Sequence, residues 1–235
     1  IVIALSTVLP ASVAAYLGGM ARLHEGVPAE WYPLGRILFA VTGLIAAGFV
    51  AIGIYLDFPA ITAELSVELV KRIAAADPAF AADPVATMAL ANSVLKIIPF
   101  VQPASWLLVI MANFWMALAI SRRSGLFRRP KDDWPTSLKM PSGALPLFAL
   151  AMAGTFLGGG FGMIAWCIAG AFSMAFVFTG FAALHRLSRG KPWRMTALWI
   201  AYATSLTIGI PVLAFLFAGL YDTAKKPAAD GSNFN

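Results

Sequence analysis

Charged residues are scarce in this sequence: only 12% of its 235 residues are Asp, Glu, Lys or Arg, whereas 60% are hydrophobic. Soluble chains are about 25% charged and about 45–50% apolar. This composition, with a mean hydropathy of +0.80, excludes a soluble enzyme, a nucleic-acid-binding domain and a secreted disulfide scaffold, and it indicates an integral membrane protein. The single cysteine, Cys167, cannot form an intramolecular disulfide and lies in an apolar run, so we predict no redox function.

Ionisable side chains are missing from the long apolar segments. No Asp, Glu, Lys, Arg or His occurs in residues 37–56, 97–121, 140–184 or 195–221. Because intramembrane ionisable groups are the usual sign of proton relays and ion coupling, this pattern argues against a pump or an ion-coupled transporter. His24 and His185 lie on different loops without further metal ligands nearby in sequence, and no nucleophile–base motif is present. The sequence therefore predicts no catalytic residue, no metal site, no cofactor and no enzymatic activity.

What remains is a series of apolar segments of about the length that crosses a bilayer, roughly 20 residues. They predict an all-α fold, a polytopic transmembrane helix bundle over residues 1–223. Because the sequence is apolar from Ile1, we expect it to begin part-way along a span. Gly158, Gly159, Gly160 and Gly162 predict a tight turn, and hence a helical hairpin, between the fourth and fifth spans. The six predicted spans are Ile1–Ala21, Leu34–Leu56, Pro99–Ser121, Leu145–Leu157, Phe161–Leu184 and Met195–Tyr221.

The basic residues predict the orientation of these spans. Residues 122–143 carry six Lys or Arg against two Asp, and residues 185–194 carry four against none, so both loops are predicted to be cytoplasmic. The acidic insertion 58–98 is then periplasmic, and its apolar periodicity predicts two short amphipathic helices that either cap the bundle or form a lid or docking site. Strict alternation places the tail, residues 224–235, outside; we expect it to be mobile, although Lys225 and Lys226 oppose that side.

Three groups of residues are candidates for function. Small residues at four-residue spacing predict close helix packing. Aromatic residues around Asn113, an amide that needs a partner inside a span, predict either interhelical contacts or a ligand pocket. A cluster of cations directly after a span predicts contact with lipid headgroups or with a partner protein. The groups are Gly154, Gly158, Gly162, Ala165, Ala169 and Ser173; Asn113, Trp106, Trp115, Trp166, Trp199 and Tyr202; and Arg122, Arg123, Arg128, Arg129 and Lys131.

Three segments at span boundaries carry a family resemblance: Glu30–Arg36, residues 128–141 with the Arg-Arg-Pro and Asp-Trp pairs, and His185–Arg194 followed by a last span ending at Thr223. Together they resemble the YybS-like family of uncharacterised bacterial inner-membrane proteins, in its alphaproteobacterial form. The resemblance implies a multi-pass protein of the bacterial inner membrane, with further spans before Ile1 and no established activity. The family's helical layout is loosely similar to the substrate-binding membrane subunits of vitamin transporters and to the rod-shape scaffold protein MreD.

Two functions follow as hypotheses. The first is a non-enzymatic inner-membrane subunit that scaffolds or modulates a larger complex, with membrane lipids and other membrane subunits as partners and no nucleic acid. The second is a small-molecule binding or uptake subunit that resembles the substrate-binding membrane component of a vitamin transporter. A lipid-handling enzyme ranks last because the sequence offers it neither a nucleophile nor a base.

Overall fold

The computed structural model describes residues 1–225 apart from 78, 79, 81, 82, 126 and 208. Most of the predicted tail, from Lys226 onward, and Pro78 in the predicted periplasmic insertion lie outside the described residues. The chain is mostly helical, at 79%. The described helices are α1 (Ala4–Gly19, whose first turns to Val8 are a π-helix), α2 (Leu34–Tyr55), α3 (Phe58–Ala76), α4 (Pro84–Arg123), α5 (Trp134–Ser137), α6 (Ala144–Gly154), α7 (Gly159–Leu187), α8 (Arg194–Thr207) and α9 (Pro211–Ala224).

Three of these helices, α2, α4 and α7, are long and apolar enough to cross a membrane. The pair α8 and α9 could count as a fourth span, but it is bent by 119° at its break. The helices α1 and α6 are shorter, and α6 with 11 residues extends about 16 Å, or half of the roughly 30 Å hydrocarbon core. The structure thus supports a membrane protein with three or four spanning units and does not confirm six.

The helix α7 lies at the centre of the bundle and contacts α2, α4, α6 and α9. Its buried residues are mostly small, and Ala169, Ala171 and Ala175 are fully buried among larger neighbours. Small side chains allow helices to approach closely in a membrane, where dispersion contacts rather than the hydrophobic effect hold helices together. The core continues into α2, where Ile37, Leu38 and other side chains are inaccessible.

The helices α6 and α7 form the predicted helical hairpin. Helix α6 ends at Gly154 and α7 begins at Gly159, which has a φ of 64° that suits glycine. The rings of Phe148 and Phe176 pack edge to face at 5.3 Å, and a Cβ on Gly154 would lie 2.8 Å from that of Ala165. From the first contact to the second, the residue number rises along α6 and falls along α7. The two helices are therefore antiparallel.

The third predicted span does not start at Pro99. The predicted segment, Pro99–Ser121, is the second part of α4, a helix of 40 residues that contains both Pro99 and Pro103. Each proline removes one backbone hydrogen bond, but both are buried, and Gly170 of α7 lets the backbone of Phe100 approach closely beside them. Tertiary packing therefore holds the helix together where local propensity would end it. The first 15 residues of α4, 84–98, belong to the predicted insertion.

The sixth predicted span, Met195–Tyr221, is not confirmed as one continuous helix. The chain breaks near Gly209, whose φ is 74°, and Pro211 starts a new helix. Asp222 at the end of α9 forms an ion pair with Arg186 in the last turn of α7. The end of α9 therefore lies at the same end of the bundle as the 185–194 loop, whereas alternation of six spans would have placed it at the opposite end.

Among the described residues, a two-stranded hairpin departs from the all-α prediction. The strands β1 (Ala21–His24) and β2 (Val27–Trp31) pair antiparallel, with Ala21 opposite Trp31. Gly26 has a φ of 75° and supplies the turn. The hairpin replaces the simple loop expected between the first two spans, and Trp31 at its end lies 5.8 Å from the guanidinium of Arg129.

Candidate functional site

Arg129 does not lie where a lipid-headgroup ligand would. Its side chain is only 2% exposed and forms two hydrogen bonds of 2.8 Å with Asp132. It also donates to the carbonyl oxygens of Gly18 at 3.1 Å and Tyr32 at 3.0 Å, and its guanidinium lies 5.8 Å from the ring of Trp31. Arg129 therefore joins the end of α1, the start of α2 and the 124–133 loop, and the headgroup assignment is wrong for this residue.

The other four cations of the predicted cluster are less buried. Arg123, Arg128 and Lys131 are exposed, and headgroup contact stays a prediction for them. Arg122 is intermediate: its Nη1 lies 3.9 Å from Oδ2 of Asp132. Two neighbouring arginines, 128 and 129, thus have opposite surroundings. Sequence spacing alone could not separate them, because the difference is made by Gly18 and Tyr32, which are distant in the chain.

A second network of charged residues connects the 185–194 loop to α9 and to residues 133–135, at the end of the bundle where Arg129 lies. Arg189 forms a bidentate ion pair with Asp133, and Arg186 donates to the carbonyl of Pro135 at 3.0 Å and pairs with Asp222. Hydrogen bonding to Arg189 lowers the pKa of Asp133, and the same carboxylate raises the pKa of Arg189. The sequence did not predict these ion pairs. We name this end of the bundle, with the connecting segments 20–33, 124–143 and 188–193, the basic end.

The six residues of the predicted ligand pocket do not meet in one place. Trp106 is half-buried and donates to Oγ1 of Thr7 at 3.0 Å, whereas Asn113 is exposed on α4. Trp166 lines a different recess, beside Thr155 and Gly158. Trp199 is 72% exposed. A single aromatic pocket formed by these residues is therefore wrong, because they project from different sides of α4, α7 and α8.

The structure does contain a cavity of about 340 Å³ between α1, α2, α4 and α7. Its wall is mainly apolar, and its polar members are Ser6, Gln102, Trp106 and Cys167. Of the predicted pocket residues, only Trp106 takes part. Among the described residues, the side chain of Gln102 has no hydrogen-bond partner, so this amide is free to bind a ligand.

Close helix packing involves only part of the predicted small-residue set. Gly154 and Ala165 face each other, Ala169 and Ser173 are buried on α7, and Gly162 is packed against the carbonyl of Leu157 within the turn. A Cβ added to Gly158 would meet nothing within 4 Å, so this glycine does not mediate a close helix contact and its assignment as a packing residue is wrong. The tightest backbone approaches are at glycines that the four-residue spacing did not single out. They are Gly35, Gly170, Gly180 and Gly219, each against the backbone of a neighbouring segment.

Within the described part of the chain, no group of three or more His, Cys, Asp or Glu side chains could hold a metal ion. No protein-family model, curated protein or solved structure matches the chain. The comparisons therefore give the resemblance to the YybS-like family no support, and function has to be argued from the geometry.

Proposed function

We propose that this chain is a non-enzymatic subunit of a larger complex in the bacterial inner membrane, and that it is a relative of the YybS-like proteins. The observation that carries the proposal is a helical hairpin, formed by α3 and the first part of α4, that stands apart from the core. With 40 residues, α4 is about 60 Å long, or twice the thickness of the hydrocarbon core. One end of α4 must therefore lie outside the hydrocarbon, and its other end belongs to the basic end.

The hairpin is held mainly by its own two helices. Thr87, Ala91 and Leu95 of α4 are buried, and among described elements α3 packs chiefly on α4. No hydrophobic residue of α3 belongs to the core cluster. Because α3 and the first part of α4 contribute no residue to the core cluster, their outer surface is available for contact with another molecule.

The outer surface of the hairpin carries uncovered aliphatic side chains beside charged ones. The pair Glu68 and Arg72, at 3.0 Å, is solvent-exposed, which is expected of a helix outside the hydrocarbon. Exposed apolar patches rimmed by polar groups in water mark protein or membrane contacts. The uncovered side chains, each at least 41% exposed, are Leu65, Val67, Val85, Leu90 and Val94.

The proposal is tested by purifying the protein from its native membranes in mild detergent and identifying bound proteins by mass spectrometry. Replacing Leu90 and Val94 together by serine should release the partner. The matched control replaces Leu147 and Leu150 of α6, which are also exposed aliphatic residues, by serine and should retain it. A wild-type protein that carries no stoichiometric partner, or equal loss in both variants, would contradict the proposal.

The cavity beside Trp106 favours the second candidate function, a small-molecule binding or uptake subunit. Its volume and mainly apolar wall with a few polar groups are typical of ligand pockets. This candidate predicts a co-purifying small molecule that is lost in Gln102→Leu and retained in Gln102→Asn. Retention of the same molecule by both variants would argue against a role for the amide.

A further inference from the structure

A second recess lies at the basic end of the bundle and is separate from the cavity beside Trp106. Its volume is about 420 Å³. We name it the aromatic groove, and its main side chains come from four helices. They are Trp115 of α4, Trp134 of α5, Phe178, Phe181 and His185 of α7, and Tyr202 of α8. Two of the predicted pocket residues, Trp115 and Tyr202, thus belong to it.

The apolar part of the groove is preformed. The ring of Phe181 stacks between Tyr202, at 5.0 Å, and Phe215 of α9, at 4.0 Å. Trp115 and Tyr202 remain 52% and 49% exposed, so the groove is open to its surroundings. Around a bundle in a bilayer, those surroundings are lipid. Flat aromatic walls open to lipid are suited to an acyl chain.

In the polar part of the groove, one hydrogen-bond donor has no acceptor. The hydroxyl of Tyr202 is hydrogen-bonded to Nε2 of His185 at 2.8 Å. In contrast, Nε1 of Trp134 is buried and has no hydrogen-bond partner within the described residues. A buried N–H without an acceptor is unfavourable, because it has lost its hydrogen bond to water and gained none in return. A molecule that brings an oxygen acceptor to this wall would satisfy the N–H of Trp134.

The charge around the groove is positive. Arg186 and Arg189 are neutralised by Asp222 and Asp133, but Arg194 has no ion pair or side-chain hydrogen bond in the described part of the chain. The cations of Arg194 and Arg189 both act electrostatically on His185. One uncompensated cation thus lies close enough to act on His185, a residue of the groove wall, and a cation beside an apolar groove suits an anionic amphiphile.

We propose that the aromatic groove binds one anionic phospholipid. Its acyl chain lies against Phe181, Tyr202 and Trp115, its phosphate is paired with Arg194, and a headgroup oxygen accepts from Nε1 of Trp134. This inference does not depend on the proposed function, since a lipid can occupy the groove whether or not the α3–α4 hairpin binds a partner.

The test is native mass spectrometry of the delipidated full chain titrated with phosphatidylglycerol, and in parallel with zwitterionic phosphatidylethanolamine. We expect one phosphatidylglycerol adduct that forms in preference to phosphatidylethanolamine. Because a cation near an anionic lipid contributes about 1 kcal/mol, Arg194→Gln should weaken it about fivefold. The matched control Arg128→Gln removes an equally charged but exposed side chain and should leave the adduct unchanged.

A second variant guards against a folding defect. Trp134→Phe keeps the aromatic wall and removes only the N–H, so it should weaken phosphatidylglycerol binding while the thermal stability of the ligand-free protein is maintained or rises. Equal binding of the two lipids, equal losses in Arg194→Gln and Arg128→Gln, or unchanged binding in Trp134→Phe would each overturn the proposal. The first two results would show non-specific headgroup attraction only.

Discussion

Substituting alanine for Gly48 of α2 should destabilise the protein, whereas the same substitution at Gly43 of the same helix should not. A Cβ on Gly48 would lie 2.8 Å from the carbonyl oxygen of Leu5 in α1, and a Cβ on Gly43 would meet nothing within 4 Å. Both positions are helical without a positive φ. Any difference between the variants therefore reports the helix contact.

The magnitude follows from two opposing effects. Alanine is favoured over glycine in a helix by about 1 kcal/mol, and this gain applies to both variants. Overfilling a packed contact costs about 1–3 kcal/mol, and it applies only at Gly48, where the displaced atom is backbone and cannot rotate away. The two variants should thus differ by about 1–3 kcal/mol in the free energy of unfolding. For a chain of this size that corresponds to roughly 2–12 °C in Tm.

The assay is thermal unfolding of the purified protein in one detergent, followed by loss of the monodisperse species. We expect Gly43→Ala to unfold at or above the wild-type Tm and Gly48→Ala below Gly43→Ala. A third variant, Gly180→Ala, should be the least stable, because its Cβ would overlap the backbone of Phe215 in α9. Equal Tm values for all three variants would refute the reasoning that glycine-mediated approach holds α1, α2, α7 and α9 together.

Three further predictions concern the basic end. Arg129→Gln should lower stability by up to about 3–5 kcal/mol, since it leaves Asp132 with only the 3.9 Å contact to Arg122, whereas Arg128→Gln should leave Tm unchanged. Equal Tm values for the two variants would contradict a structural role for Arg129. Because the folded pKa of Asp133 is lowered, its contribution is present above its ordinary pKa of 3.8 and is lost as pH falls through the folded value. The Tm difference between wild type and Asp133→Asn should therefore shrink in that acidic range, and a pH-independent difference would contradict it. In a Cys167→Ser background, single cysteines introduced as Arg189→Cys and Lys225→Cys should be labelled from the same side of the membrane. Labelling from opposite sides would contradict the position of the end of α9 beside the 185–194 loop.

The features predictable from the sequence are those that depend on local composition. The apolar run after Pro33 predicts Leu34–Leu56, and α2 covers Leu34–Tyr55. The glycine run gives the hairpin between α6 and α7, because a residue with positive φ at Gly159 is a local requirement. In both cases the signal is contained within a few neighbouring residues.

The features that escaped prediction depend on contacts between distant residues. Hydropathy measures the length of Met195–Tyr221 but not its shape, although Gly209 and Pro211 together are a local sign of the break. Helix α4 continues through Pro99 because Gly170, 71 positions along the chain, accommodates the backbone beside it. The burial of Arg129 likewise depends on Gly18 and Tyr32. No rule based on the spacing of residues in the sequence predicts these contacts.

The central claim, that the α3–α4 hairpin docks a partner protein, is tested most directly by photo-crosslinking in native membranes. A photoreactive amino acid at Val85, which is 81% exposed on the hairpin, is compared with one at Leu150, which is 73% exposed on α6. We predict one discrete protein adduct from Val85, absent from Leu150 and lost in the Leu90→Ser, Val94→Ser background. Crosslinking of Val85 to lipid alone, in the same way as Leu150, would contradict the claim.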